Sequence, residues 1–97
     1  MQQLSTHEIQ LNAVDDLNIN SVTAIRFEIF KVGSKTPFIV KSLGNGIAAN
    51  ANGWKVTIDA SEINLSGDVY REVYFVSDGK EYRKPFGYTN IKESLTN

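Results

Sequence analysis

The chain has 97 residues, the size of one domain. Its ten basic and eleven acidic residues nearly cancel, to −1, which argues against a protein whose main task is gripping phosphate backbones. There is no cysteine, so disulfides, thiolate metal sites and cysteine nucleophiles are excluded.

Period-two alternation recurs along the chain, and no helix-period stretch of useful length competes with it. Residues 7–14 alternate, with Ile9, Leu11 and Ala13 on one face and Glu8, Gln10 and Asn12 on the other. Asp15-Asp16 breaks the pattern as a turn, after which Leu17 and Ile19 continue the apolar spacing. Residues 21–32 read as a longer strand, with Ile25, Phe27 and Ile29 opposite Ala24, Arg26 and Glu28. Gly33-Ser34-Lys35 is a loop, and Pro37 suits the start or edge position of a third strand over 37–43. Gly44-Asn45-Gly46 turns the chain. Residues 47–49 then pair across an Asn52-Gly53 turn, where both residues tolerate positive φ.

Trp54, Val56 and Ile58 alternate against Lys55, Thr57 and Asp59. Asp59-Ala60-Ser61-Glu62 reads as a capping box for one helical turn, with Asp59 capping and Glu62 reaching back. Ile63 and Leu65 pin that turn to the core. Gly67 releases the chain into a strand over 68–77, Asp78-Gly79 reverses it, and residues 81–91 close the sheet. Gly87 inside this last strand predicts a bulge or a close backbone approach. Residues 1–6 and 93–97 are expected to be flexible ends. The first six residues carry neither a basic nor an apolar signal region, and no apolar run approaches about 18 residues, so neither a secretory signal nor a membrane span is expected.

These elements predict an all-β fold: a single immunoglobulin-like antiparallel β-sandwich of about seven strands, with one short helical turn, spanning residues 1–97. The predicted core is Ile25, Phe27, Ile29, Trp54, Val56, Ile58 and Leu65, joined by either Val69, Val73 and Phe75 or Tyr70 and Tyr74. The strand over 69–76 is unusual because both faces carry large side chains. One face holds Val69, Val73 and Phe75, and the other holds Tyr70, Tyr74 and Val76. A sandwich buries one face of each sheet, so the second face needs cover from a loop, a terminus or another subunit. Tyrosine suits such a contact, with its large area and polar tip.

Residues with catalytic or ligand-binding chemistry do not assemble into a motif. His7 is the one histidine, and its place on a first strand, read as the polar face, marks it as exposed and uninvolved. A lone histidine builds neither a Ser-His-Asp arrangement nor a typical zinc site. Asp15-Asp16 lacks the oxygen spacing and closing glutamate of a calcium loop. Glu62 and Glu72 could be imagined as a glycosidase pair, but nothing sets them across a groove. Arg71, Lys80, Arg83, Lys84 and Lys92 interleave with tyrosines as a base-stacking surface would, yet Glu72, Asp78 and Glu81 dilute the charge. Asn64-Leu65-Ser66 matches a glycosylation acceptor, which without a secretory signal is a coincidence of sequence.

One resemblance covers most of residues 8–93. Its parts are Asp16-Leu17, residues 22–29, Gly53-Trp54-Lys55-Val56-Thr57-Ile58, Ser61-Glu62, residues 67–73, Ser77-Asp78-Gly79-Lys80 and Gly87-Tyr88-Thr89-Asn90-Ile91. In this order of turns and alternation the chain resembles a small β-sandwich module of tailed-bacteriophage virion proteins. That module begins upper-baseplate and receptor-binding attachment subunits, and it also stands alone. The helical extension of attachment subunits does not follow here, which favours a neck, connector, tail or decoration protein. The resemblance implies a non-enzymatic structural virion protein, made in the bacterial host cytoplasm, with no cofactor, no catalytic residue and no metal. Its implied partners are other virion proteins and copies of itself, not nucleic acid or membrane. The expected contact residues are Tyr70, Tyr74, Val76, Tyr82 and Tyr88. The alternative is a carbohydrate- or receptor-binding β-sandwich that uses an exposed Trp54 or tyrosines as stacking platforms.

Overall fold

The computed structural model describes residues 6–12, 21–63 and 66–92. The fold is all-β. Its strands are β1 (His7–Asn12), β2 (Val22–Lys31), β3 (Ile39–Leu43), β4 (Gly46–Asn50), β5 (Gly53–Ile58), β6 (Gly67–Ser77) and β7 (Lys80–Ile91), with one 3-10 turn at Ala60–Glu62. Among the described residues, the seven strands and the short helical turn at Ala60–Glu62 agree with the sequence reading. The strands join in one continuous mixed sheet, in the order β1-β5-β4-β3-β2-β6-β7, rather than in two separately bonded sheets.

Antiparallel hairpins build the two halves of this sheet. The β6–β7 hairpin closes on Asp78-Gly79, with φ of +52° and +78°, as a two-residue turn with positive φ at both positions requires. The β4–β5 hairpin closes between Asn50 and Gly53. The halves join where β3 and β4 run parallel over two residue pairs, Ser42 with Gly46 and Leu43 with Ile47. Parallel neighbours ordinarily need a long crossover. Here the chain sidesteps through a tight loop, in which Gly44 and Gly46 take φ of +80° and +94°. At Gly46 a Cβ would also meet Lys41 Cδ at 2.5 Å, so glycine is needed there for both space and conformation.

The sheet curls, and its two ends face each other across the core. Leu11, Trp54, Val56 and Ile58 from the β1–β5 end cluster with Ile25, Phe27, Ile29, Val69, Phe75 and Ile91 from the β2–β6–β7 end. Phe27 is 0% exposed and sits edge-on to Phe86, with ring centroids 5.4 Å apart. Of the two predicted alternatives for the strand over 69–76, the Val69, Val73 and Phe75 face turns inward. Ile63 is fully buried and pins the 3-10 turn as expected. Leu65, the Asp15-Asp16 turn, Leu17, Ile19, Asn64, residues 1–5 and residues 93–97 lie outside the described residues.

Two local expectations are overturned. Asp59 makes no side-chain capping bond. Glu62 instead accepts a 2.6 Å hydrogen bond from Lys41 Nζ, 21 residues away. Lys41 stands opposite Phe27 on the inner side of β3 and is 9% exposed, so its ammonium needs a partner and draws the turn in. His7 pairs with Ile58 and so shares the inner face with Ile9 and Leu11. It is half-buried and has an interaction partner, rather than standing exposed on a polar face.

Candidate functional site: the outer face of β2, β6 and β7

Strand register arranges the outer face in cross-strand rows. One row is Phe30, Tyr70 and Tyr88, the next holds Glu28 and Glu72, and a third is Arg26, Tyr74 and Arg83. Ala24 and Val76 follow, with Glu81 opposite Val76. Each row brings together residues far apart in sequence because β2 and β6 pair over nearly their whole length.

The first row is aromatic. Tyr70 lies between Phe30, at 6.2 Å, and Tyr88, at 5.1 Å between ring centroids. Tyr88, on the edge strand, is 71% exposed. Val40 of β3 and Val32, in the turn just past β2, are also exposed.

The next two rows form a charge lattice. Glu28 and Glu72 stand directly opposite each other, an arrangement that is repulsive unless neutralised. Arg83 Nη1 donates to both, at 3.0 Å to Glu28 Oε1 and 2.6 Å to Glu72 Oε1. Those two hydrogen bonds, the one to Glu72 first, hold the Arg83 guanidinium above its usual pKa. Glu28 is 7% exposed, so Arg83 neutralises a carboxylate that water barely reaches. The Tyr74 ring has the Arg26 guanidinium 4.1 Å and the Arg83 guanidinium 5.0 Å from its centroid, both cation–π contacts. Its hydroxyl donates to Glu81 Oε1 at 2.9 Å, and this bond raises the Tyr74 pKa. Tyr70 donates to Glu72 Oε2 at 3.3 Å, and its pKa is raised by burial first and by Glu72 second.

The five predicted contact residues do not all meet. Tyr70, Tyr74, Val76 and Tyr88 share the outer face. Tyr82 is on the opposite face, stacked on Phe75 at 5.0 Å, because it is an even number of residues from Lys84 and Phe86, whose face turns toward the core. Arg71 also turns inward. It donates to Gly87 O at 3.3 Å and packs over Phe86, and burial lowers its pKa. Glu62 and Glu72 belong to different cations, Lys41 and Arg83, and are not a catalytic pair. Sequence reading missed Phe30 and the Arg83 bridge. Their signal was the strand parity of Arg26, Glu28 and Phe30, which becomes a surface only once β6 is laid beside β2.

A cavity of about 170 Å³ opens between the two ends of the curled sheet, with Leu11 and Trp54 on one side and Val73, Phe75 and Phe86 on the other. It is smaller than typical small-molecule sites, which run from about 300 Å³, and it is a packing gap where the sheet ends meet. Among the described residues no group of three or more His, Asp or Glu is placed to hold a metal ion. Comparison of the chain with protein-family models, curated proteins and solved structures gives no match.

Proposed function

We propose that this chain is a non-enzymatic structural virion protein of a tailed bacteriophage, a small β docking module of the neck, tail, baseplate or capsid surface. The family part of this reading rests on the sequence resemblance. The docking part rests on one observation: the Phe30-Tyr70-Tyr88 row runs across the outer face to an edge strand and ends in a tyrosine that is 71% exposed. Beside it, Arg26 and Arg83 stand against Glu28 and Glu72, two cations facing two carboxylates, so the charge of these two rows is balanced. Aromatic residues of this kind concentrate binding energy in protein interfaces. The curl of the sheet, with β1 and β5 facing β6 and β7 across the core, supports a sandwich-like module of two layers joined at β3–β4.

The carbohydrate-binding alternative loses one of its platforms, since Trp54 is 4% exposed and belongs to the core. The test is incorporation of Tyr70→Ala and Tyr88→Ala chains into particles, beside thermal melting of each isolated protein. Reduced incorporation in a chain that still folds supports the reading. Normal incorporation of the folded double variant removes this face from docking.

A further inference from the structure

The outer face of β2, β6 and β7 carries its charge in sorted rows, with β6 along the middle. One row holds the carboxylates of Glu28 and Glu72. The neighbouring row holds the Arg26 and Arg83 guanidiniums on either side of Tyr74. Outside the carboxylates lies the aromatic row of Phe30, Tyr70 and Tyr88. Outside the guanidiniums lies a row of smaller side chains, Ala24 and Val76, that ends in Glu81. The face reaches solvent. The Arg26 and Arg83 side chains are 40% and 52% exposed, Tyr88 is 71% exposed, and Glu81 is exposed.

We propose that this face stacks on the same face of a second copy of the chain, about a twofold axis that crosses the strands between the carboxylate and guanidinium rows. The inference rests on the docking reading above and names the occupant of the face. The axis lies in the plane of contact, so each strand lies antiparallel over its own mate, as aligned sheet packing allows. The carboxylate row of each copy then faces the guanidinium row of the other. The aromatic row faces the row of Ala24, Val76 and Glu81. Rings meet smaller side chains, and the Tyr88 hydroxyl meets Glu81 of the second copy. Other axes serve the face less well. An axis along the strands keeps each row over itself, carboxylate on carboxylate. An axis across the strands at either charged row does the same for that row. An axis between Tyr74 and Val76 leaves the aromatic row outside the contact. Three strands about 4.8 Å apart and four rows about 7 Å apart give about 400 Å² per copy, half of the roughly 800 Å² per partner in a standard interface. The curl bows the face outward and reduces the contact further. The pairing is therefore weak between free chains and strengthened where a particle holds copies side by side.

Tyr88 is exposed enough to be varied without unfolding the chain. The twofold makes its contact with Glu81 twice, so a like charge there is expected to weaken the dimer about tenfold. The original chain is expected to shift toward dimer in sedimentation as concentration rises. Tyr88→Glu is expected to dissociate more readily by that factor, and Tyr88→Lys to associate at least as well as the original. Glu81→Lys, added to Tyr88→Glu, is expected to restore the dimer, all with an unchanged β spectrum. The chain has no native cysteine, so introduced thiols and a short bismaleimide locate the contact. A mixture of Tyr88→Cys and Glu81→Cys chains is expected to crosslink several-fold faster than either chain alone. Positions 88 of the two copies stand about 20 Å apart along the strands, as do positions 81. Equal dimerisation of Tyr88→Glu and Tyr88→Lys, or no gain from mixing the two thiols, would overturn the stacking. Both measurements use the free protein. Their failure alongside impaired particle incorporation of Tyr70→Ala would overturn the stacking and leave the face as a site for a different virion protein.

Discussion

Phe27→Ala tests whether the curled sheet has a single shared core. The ring is 0% exposed, lies between Lys41 and Val73 in neighbouring strands, and is edge-on to Phe86. Removing about 100 Å² of buried apolar surface at about 25 cal/mol per Å² forfeits about 2.5 kcal/mol. If about half of the ring volume, roughly 50 Å³, stays empty, the residual cavity adds about 1.2 kcal/mol. The lost edge-to-face contact adds about 0.5–1.5 kcal/mol. The sum, about 4–5 kcal/mol, lies at the upper end of the usual Phe→Ala range of about 3–5 kcal/mol. Collapse offers little relief, because Phe86 already lines the 170 Å³ gap and would have to leave it to fill the hole. For a chain of this length about 4 kcal/mol lowers the melting temperature by about 20 °C. That rivals the whole stability of a small domain, about 5–15 kcal/mol. Phe27→Leu is therefore measured in parallel, with an expected loss of about 1–1.5 kcal/mol. Urea unfolding followed by circular dichroism and by fluorescence of Trp54, the single tryptophan and itself a core residue, gives both numbers. A loss below about 1 kcal/mol for Phe27→Ala, in a chain that keeps its β spectrum, would show that the two sheet ends do not share this core.

Gly46→Ala is expected to destabilise by about 1–3 kcal/mol in urea titration, since it combines strained positive φ with a clash on the Lys41 stem; Gly33→Ala, where a Cβ has open space, separates the two effects by showing the φ penalty alone. Glu62→Ala is expected to cost about 1–3 kcal/mol by leaving the Lys41 ammonium poorly solvated, and the double change with Lys41→Met is expected to recover most of it, so additive losses in a double-mutant cycle would refute the pairing. Tyr70 holds its proton more tightly folded than unfolded, so its contribution is intact below the unfolded pKa, near 10, and is lost as pH rises through the higher folded value. The melting temperature should therefore fall more steeply above pH about 10 for the original chain than for Tyr70→Phe, and parallel curves would contradict the shift.

The short-range parts of this protein are written in its sequence. Period-two alternation places Ile25, Phe27 and Ile29 on one side of β2, and Asp78-Gly79 specifies its turn, because these depend on neighbours a few residues apart. Strand order, curl and partner choice are not local. Glu62 has the spacing of a capping residue, yet an inward lysine 21 residues earlier takes its carboxylate, since an unpaired buried ammonium costs more than an unmade cap. His7 reads as polar and peripheral, but its register with Ile58 fixes it on the inner face. Tyr70, Tyr74, Tyr82 and Tyr88 look equivalent in the chain. The β2–β6–β7 register alone decides that Tyr82 stacks on Phe75 while Tyr70 and Tyr88 continue a row begun by Phe30. Sequence determines which faces are apolar within each strand. Tertiary structure decides which strands lie side by side, and a cross-strand surface exists only after that pairing is made.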